Sequence, residues 1–342
     1  MFKNKHFLTI INIFLTIMDN LSENIWKKHI SVLLNELVDS IEIFKGRQNI
    51  VVDCTLWMAG HFIEVAKKLN TWDIIIWFDA DIKNLWLAKQ RITDSLKNIN
   101  FIEKKQQEKK DKINICLIND NFWNIKEQLE NRWIQKITWI YYDLWLSSLH
   151  LDEADRGFSF MKEGPLDMRL NKSKWQKASE IINSYTASKL REIFLKYWES
   201  SQANKISHKI IELRKKKKFE TTSDLAEIIP GPPKEKAKIF QALRIEVNKE
   251  LEMLEKSLKE AIELLEKDWK IFVISFHSLE DRITKQIFKK ETRDCICNDL
   301  ICSCHHKKTL KLLNKKPILP SENEIKENPR SRSAKARAAQ KI

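Results

Sequence analysis

Short apolar runs recur along the first half of the chain, each ending in polar residues. Residues 48–55 (QNIVVDCT), 73–79 (DIIIWFD), 113–119 (INICLIN) and 136–144 (KITWIYYDL) have the length and β-branched content of buried strands. Between them, residues 61–70, 82–98 and 124–131 carry the spacing of amphipathic helices, and the charged stretch 103–112 (EKKQQEKKDK) reads as a solvated loop. Strands that alternate with helices predict a parallel sheet covered on both faces.

The pattern changes after about residue 155. Residues 176–213 read as helical and are followed by a basic run. Thr221 or Thr222 can cap a short helix opening at Ser223, and Pro230-Gly231-Pro232-Pro233 is a hard break. Residues 235–267 read as one long helix or two, with Leu251, Leu254, Leu258, Ile262 and Leu265 on one face. A strand pattern returns at 271–276 (IFVISF), so a helical block of roughly 100 residues interrupts an α/β domain. From residue 307 the chain is polar and basic, and is expected to form a tail.

Composition sharpens this picture in two ways. The net charge of +14 and pI near 9.3 favour a polyanionic partner such as nucleic acid. The competing explanation is a lysine-rich compositional bias. Glycine is scarce: 5 Gly stand beside 12 Trp, where a globular chain is about 7% Gly. The tryptophans fall at punctuation points, as in Asn70-Thr71-Trp72-Asp73 and Asp268-Trp269-Lys270, where turns ordinarily use glycine. The expectation is that a codon read here as Trp specifies Gly in the source organism. The alternative, tryptophans that stack on bases, predicts clustering on one face.

Cys54 and Cys116 lie in apolar runs and read as reduced core thiols of a cytoplasmic protein. Residues 1–17 place Lys3 and Lys5 before an apolar stretch, as signal peptides do. Asn12 interrupts that stretch, no small-residue cleavage site follows, and it is too short to span a bilayer. Met18 is therefore expected to be the true start. No other segment is a membrane-span candidate.

Chemistry concentrates at strand ends, where open α/β sheets bind ligands. The first strand runs into Asp53-Cys-Thr-Leu-Trp-Met-Ala-Gly60-His61, which becomes a glycine loop before a helix if residue 57 is Gly. Asp79 ends the second strand about 20 residues further on, the offset of a ribose-binding acid. Asp143 and His150 follow the fourth strand, and His277, Glu280 and Asp281 follow the last. An ordinary αβ unit without a ligand, or an NAD site, would also satisfy the loop alone.

The runs DCTLWMAGHF, YYDLWLSSLHLDEADRGFSF, GPLDMR, FQALRIEVNKEL, VISFHSLEDR and NPRSRSAKARAAQ resemble the bacterial 16S ribosomal RNA (cytosine-N4)-methyltransferase family from about His29 to the C-terminus. Ten tryptophans (57, 72, 77, 123, 133, 139, 145, 175, 198 and 269) stand where that family commonly has Gly; Trp26 and Trp86 are less diagnostic. The resemblance implies a class I, Rossmann-like S-adenosyl-L-methionine (SAM) methyltransferase sheet formed by 18–155 and 256–306, with an all-helical RNA domain inserted at 156–255 and a tail at 307–342.

By the same resemblance, Ala59, Gly60, His61, Asp79, Phe122, Asp143 and His150 contact SAM, Asp79 through the ribose hydroxyls. Asp143 and His277 are the candidates for orienting the cytosine amino group and taking its proton. RNA phosphates would meet Arg214, Lys215, Lys216, Lys217, Lys218, Arg330, Arg332, Lys335 and Arg337. The implied partners are 16S rRNA or the small ribosomal subunit, with a homodimer allowed and no membrane. Cys295, Cys297, Cys302 and Cys304 form a compact candidate zinc cluster, although C-x-C is tighter than the usual C-x₂₋₄-C spacing. If the tryptophans are genuine, a non-catalytic RNA-binding protein becomes the alternative.

Overall fold

The computed structural model describes residues 30–55, 59–144, 153–172, 175–198, 202–297 and 303–342. The expectations for residues 1–17, Met18, Trp26, Trp57, Trp145, His150 and Cys302 lie outside them.

Eight strands form one sheet: β1 (Ile50–Asp53), β2 (Ile74–Phe78), β3 (Ile99–Phe101), β4 (Ile113–Ile118), β5 (Ile137–Asp143), β6 (Leu265–Ser275), β7 (Leu310–Leu312) and β8 (Lys335–Lys341). Their order is β3-β4-β2-β1-β5-β6-β8-β7. The strands from β3 to β6 are mutually parallel; β8 runs antiparallel to β6, and β7 antiparallel to β8. The central strands are buried along their whole length, which explains their unbroken apolar runs.

The helices are α1 (Leu34–Ser40), α2 (Gly60–Lys68), α3 (Ile82–Ser95), α4 (Ile125–Glu130), α5 (Ala178–Ser184), α6 (Ala187–Trp198), α7 (Ala203–Leu213), α8 (Thr222–Ile228), α9 (Pro233–Asn248), α10 (Glu250–Leu264), α11 (Ser278–Glu291) and α12 (Glu322–Glu327). Thr221 caps α8 as expected, accepting from the Asp224 N–H at 3.2 Å, and Asp224 reciprocates. The stretch expected as one helix or two is two, broken at Lys249 with φ 54°. The stretch 176–213 divides into α5, α6 and α7.

Two core layers sandwich the sheet. One joins the sheet to α10 through Leu254, Leu258 and Ile262; the other packs α2 and α3 on the opposite face. A third core, from Phe158 to Leu251 with Leu279, belongs to the helical block. Gly157, at φ 71°, and Gly164 fix the approach to that block, because a Cβ on either would run into backbone.

Two expectations need correction. The helix expected over 82–98 ends at Ser95, and a short strand, β3, follows it before the loop read at 103–112. The basic tail is not a tail: β7 and β8 complete the sheet, and β8 pairs with β6 from Lys335 to Gln340. Its sequence, KARAAQK, is poor in strand formers, and its small alanines are buried against the neighbouring strand and layer.

Candidate functional site

The strand order places Asp79, Asp53, Asp143 and His277 at or just beyond the carboxyl ends of four successive neighbours, β2, β1, β5 and β6. Asp53 is buried, accepts the Tyr141 hydroxyl at 2.6 Å and accepts the Thr55 N–H at 3.0 Å. Burial pushes its carboxyl well above the usual range, against the opposing pull of those bonds. Asp143 is buried two residues beyond Tyr141, the register partner of Asp53. Its N–H donates to the Thr55 hydroxyl, and Oδ2 stands 3.4 Å from Nδ1 of His61. His61 in turn places Nε2 2.9 Å from the Val32 carbonyl. The structure therefore puts His61 between the segment before α1 and Asp143.

Ala59 precedes α2 with φ 60°, a left-handed conformation that favours glycine, and Gly60 opens the helix. Asp79 accepts from the Asp81 N–H at 2.5 Å and from the Asn84 amide at 3.3 Å. Burial raises its pKa well above the usual value. Asp81 is itself held by Arg156, 3.1 Å away, which ties the second strand end to the loop leading into the helical block.

Two adjoining cavities lie along these strand ends. One, of about 410 Å³, is lined by residues including Ala80, Asp120, Trp123, Trp175 and Asn248. The other, of about 110 Å³, is lined by residues including Thr55, Phe122, Leu144, Arg244 and Glu280. Asn121, Leu170, Asn248 and Met253 border both. The larger volume lies in the ordinary range for a small-molecule site. Phe122 meets the Tyr142 ring edge-on at 5.7 Å, so its face is set by the sheet core.

His277 precedes α11, with Nε2 2.9 Å from Oε1 of Glu280. Oε2 of Glu280 accepts the Phe276 N–H at 2.8 Å. Burial alone would raise the Glu280 pKa, but the nearby His277 and the backbone donor hold it below the usual range. The pair thus sits at the rim of the smaller cavity through Glu280.

The helical block contributes residues to which the sequence assigned no role. Arg244 of α9 forms a bidentate pair with Glu250, at 2.8 and 2.9 Å, and both line the smaller cavity. Asn248 accepts the Leu170 N–H and donates to the Met168 and Arg244 carbonyls, all within 2.9 Å. Their motif, FQALRIEVNKEL, was the available signal; an arginine and an asparagine on an amphipathic helix otherwise read as a solvated face.

The basic runs separate by environment. Arg214 donates to the Ile182 and Tyr185 carbonyls, Lys217 pairs with Asp224 at 2.7 Å, and Arg337 pairs with Asp281 at 2.6 Å. Arg214 and Arg337 are thereby held within the fold, whereas Lys217 stays exposed and its ion pair lies at the surface. Lys215, Lys216, Lys218, Arg330 and Arg332 are exposed, and Lys335 is half-exposed. Three of the four candidate metal-site thiols, Cys295, Cys297 and Cys304, come together in the loop after α11.

Comparison with known proteins agrees with the resemblance. A family model described as the MraW methylase family matches residues 26–342. The chain is 41% identical over 325 residues to ribosomal RNA small subunit methyltransferase H of Clostridioides difficile, covering 92% of this chain and 99% of that protein. It is 40% identical over 327 residues to the protein of the same name from Finegoldia magna, with the same coverage. Among solved structures, an rRNA methylase from Streptococcus thermophilus aligns with 90% of this chain and 93% of its own, at 9% identity and a TM-score of 0.39.

Proposed function

Because the chain belongs to the MraW methylase family, we propose that it methylates N4 of a cytosine in the decoding region of small-subunit ribosomal RNA, with SAM as methyl donor. The fold is the class I methyltransferase sheet carrying a helical insert. The observation that carries the reading is the pair of adjoining cavities beyond the ends of β1, β2 and β5. They are lined there by Thr55, Ala80 and Leu144 and on the other side by residues of α9 and α10, with Asp79 and Asp143 at the same strand ends but outside the cavity linings.

The residues present fit the cofactor. Ala59 and Gly60 offer the helix N-terminus, Asp79 the acceptor for ribose hydroxyls, and Phe122 an apolar wall for the adenine. His61 acts through Asp143. Bound SAM supplies an electrophilic methyl group. The cytosine amino nitrogen is a poor nucleophile because its lone pair is delocalised into the ring, so positioning must supply much of the rate. Asp143, fixed by His61 and by its own N–H bond to Thr55, accepts a hydrogen bond from the amino group and turns the lone pair towards the methyl. His277, held by Glu280, receives the released proton.

The target base must leave its stack to reach such a site, and the helical block is the surface available to hold the RNA around it. Lys215, Lys216 and Lys218 supply phosphate contacts there, with Arg330 and Arg332 near the sheet edge. Among the described residues no helix is long and apolar enough to cross a membrane, and the small ribosomal subunit places the enzyme in the cytoplasm.

Asp143→Ala tests the proposal: kcat is expected to fall ~100-fold or more while the fold persists. Full turnover would remove Asp143 from the reaction. A non-catalytic RNA-binding role would instead show RNA affinity with no transfer in the unsubstituted protein.

A further inference from the structure

Among the described residues of the loop from Thr292 to Thr309 none is buried. Its ends are tied, since Thr309 donates its N–H to the Glu291 carbonyl at 2.8 Å and its hydroxyl to the Glu291 carboxylate at 2.6 Å. Between those ends the described residues are polar or half-exposed. Ile296 is exposed, and none of the described residues of the loop belongs to any of the three cores. Cysteine is ordinarily among the most buried residues. Cys54 and Cys116 obey that rule in the sheet, whereas Cys295, Cys297 and Cys304 are half-exposed.

Those three thiols nevertheless converge. All three sulfurs lie within 4.8 Å of one another, with Cys295 Sγ 3.0 Å from Cys297 Sγ and 3.9 Å from Cys304 Sγ. The Ile296 N–H points at Cys304 Sγ from 3.5 Å, the kind of backbone bond that stabilises a thiolate ligand. Sulfurs bound 2.3 Å from one tetrahedral zinc ion stand about 3.8 Å apart, so the observed separations bracket the edge of that tetrahedron. An iron–sulfur cluster spreads its cysteines over several irons and needs a wider frame.

We propose that Cys295, Cys297 and Cys304 bind a zinc ion that closes the loop between α11 and β7. The ion takes the place of a hydrophobic core too small to form there. Binding is not a redox step: three S–H bonds give way to three Zn–S bonds, and three protons pass to solvent. Solvent supplies the fourth position. Soft thiolates favour zinc over the magnesium or calcium that carboxylates attract. Because α11 begins at the His277–Glu280 pair and β7 closes the sheet edge, the site braces the far end of the helix that carries the proposed proton acceptor. The proposal does not depend on the methyl-transfer reading.

The test uses the full chain purified under reducing conditions without added chelator. Elemental analysis should find about one zinc per chain, released by a mercurial thiol reagent. Cobalt(II) replacing it should give thiolate charge-transfer absorption. Cys295→Ser and Cys304→Ser should each lower zinc affinity at least tenfold, while Cys116→Ser, in the sheet, should leave zinc content unchanged. A folded, fully reduced wild-type chain containing less than about a tenth of a zinc, even after zinc is supplied, would overturn the proposal. So would a Cys295–Cys297 disulfide found by mass spectrometry in chain purified under those same reducing conditions. These readouts need no methyltransferase activity, so failure of the functional reading would leave them intact.

Discussion

Trp72 and Trp133 sit at φ 78° and 63°, in the left-handed region where an indole-bearing residue is strained and glycine is not. In the buried strands, Trp77 and Trp139 each leave an indole N–H without a hydrogen-bond partner, a cost of ~1–3 kcal/mol apiece. Trp123 and Trp175 take up space in the larger cavity. These six positions support the reading of Trp as Gly from three independent directions: backbone, polar satisfaction and ligand space. Trp198 and Trp269 fit their surroundings, the first donating to Glu235 at 3.0 Å and the second packing edge-on against Phe44, so they add nothing to it. Trp72→Gly and Trp133→Gly should each raise stability by about 1 kcal/mol, read as a higher urea midpoint at unchanged slope. Peptide mass spectrometry of the native protein over residues 51–67 should report Gly at position 57; a mass for Trp there would refute recoding.

Asp79 carries a prediction with a definite sign. Burial raises its folded pKa, so the stability associated with its protonated form is present below the ordinary carboxylate range. That contribution is lost as pH rises through the raised folded value. Asp79→Asn should therefore stabilise the chain more at pH 8 than at pH 4 by thermal melting, while weakening cofactor binding. Equal shifts at the two pH values would mean that Asp79 is not strained by its site.

At the scale of elements, the buried parallel strands β1, β2, β4, β5 and β6 were legible because burial on both faces writes itself as continuous apolar runs, whereas the half-buried, three-residue β3 was not. The polar ends of the legible strands announced Asp53, Asp79, Asp143 and His277. β8 was not legible, since alanines flanked by basic residues carry no strand signature, and its conformation comes from pairing with β6. Arg244 and Asn248 escaped for a related reason: a helix face turned towards a cavity has the same polar pattern as one turned towards water. Asn248 is 2% exposed and holds three backbone groups, so Asn248→Ala should cost about 2 kcal/mol. Because it also borders both cavities, KM for SAM should rise more than kcat falls. A mutant that loses stability with unchanged KM would confine Asn248 to a structural role.

Across the whole molecule, a charge of +14 is spread unevenly between bracing and exposed cations. Arg214 and Arg337 are committed within the fold, so counting basic residues overstates the charge available to a polyanion. Replacing Lys215, Lys216 and Lys218 together with Ala should weaken RNA binding and flatten its dependence on salt, by up to about three units of log–log slope. An unchanged slope would move the RNA path elsewhere. On the proposed reading the chemistry and the grip belong to different parts, the carboxyl ends of the strands for the cofactor and the helical block for the RNA.

The central claim is methyl transfer to a cytosine amino group, and one measurement addresses it directly. The native protein is incubated with SAM labelled in its methyl group and with small ribosomal subunits from cells lacking the modification, and the RNA is digested to nucleosides. The account predicts label in N4-methylcytidine, abolished by Asp143→Ala. Label on a different base or position, or RNA binding without any label, would contradict it.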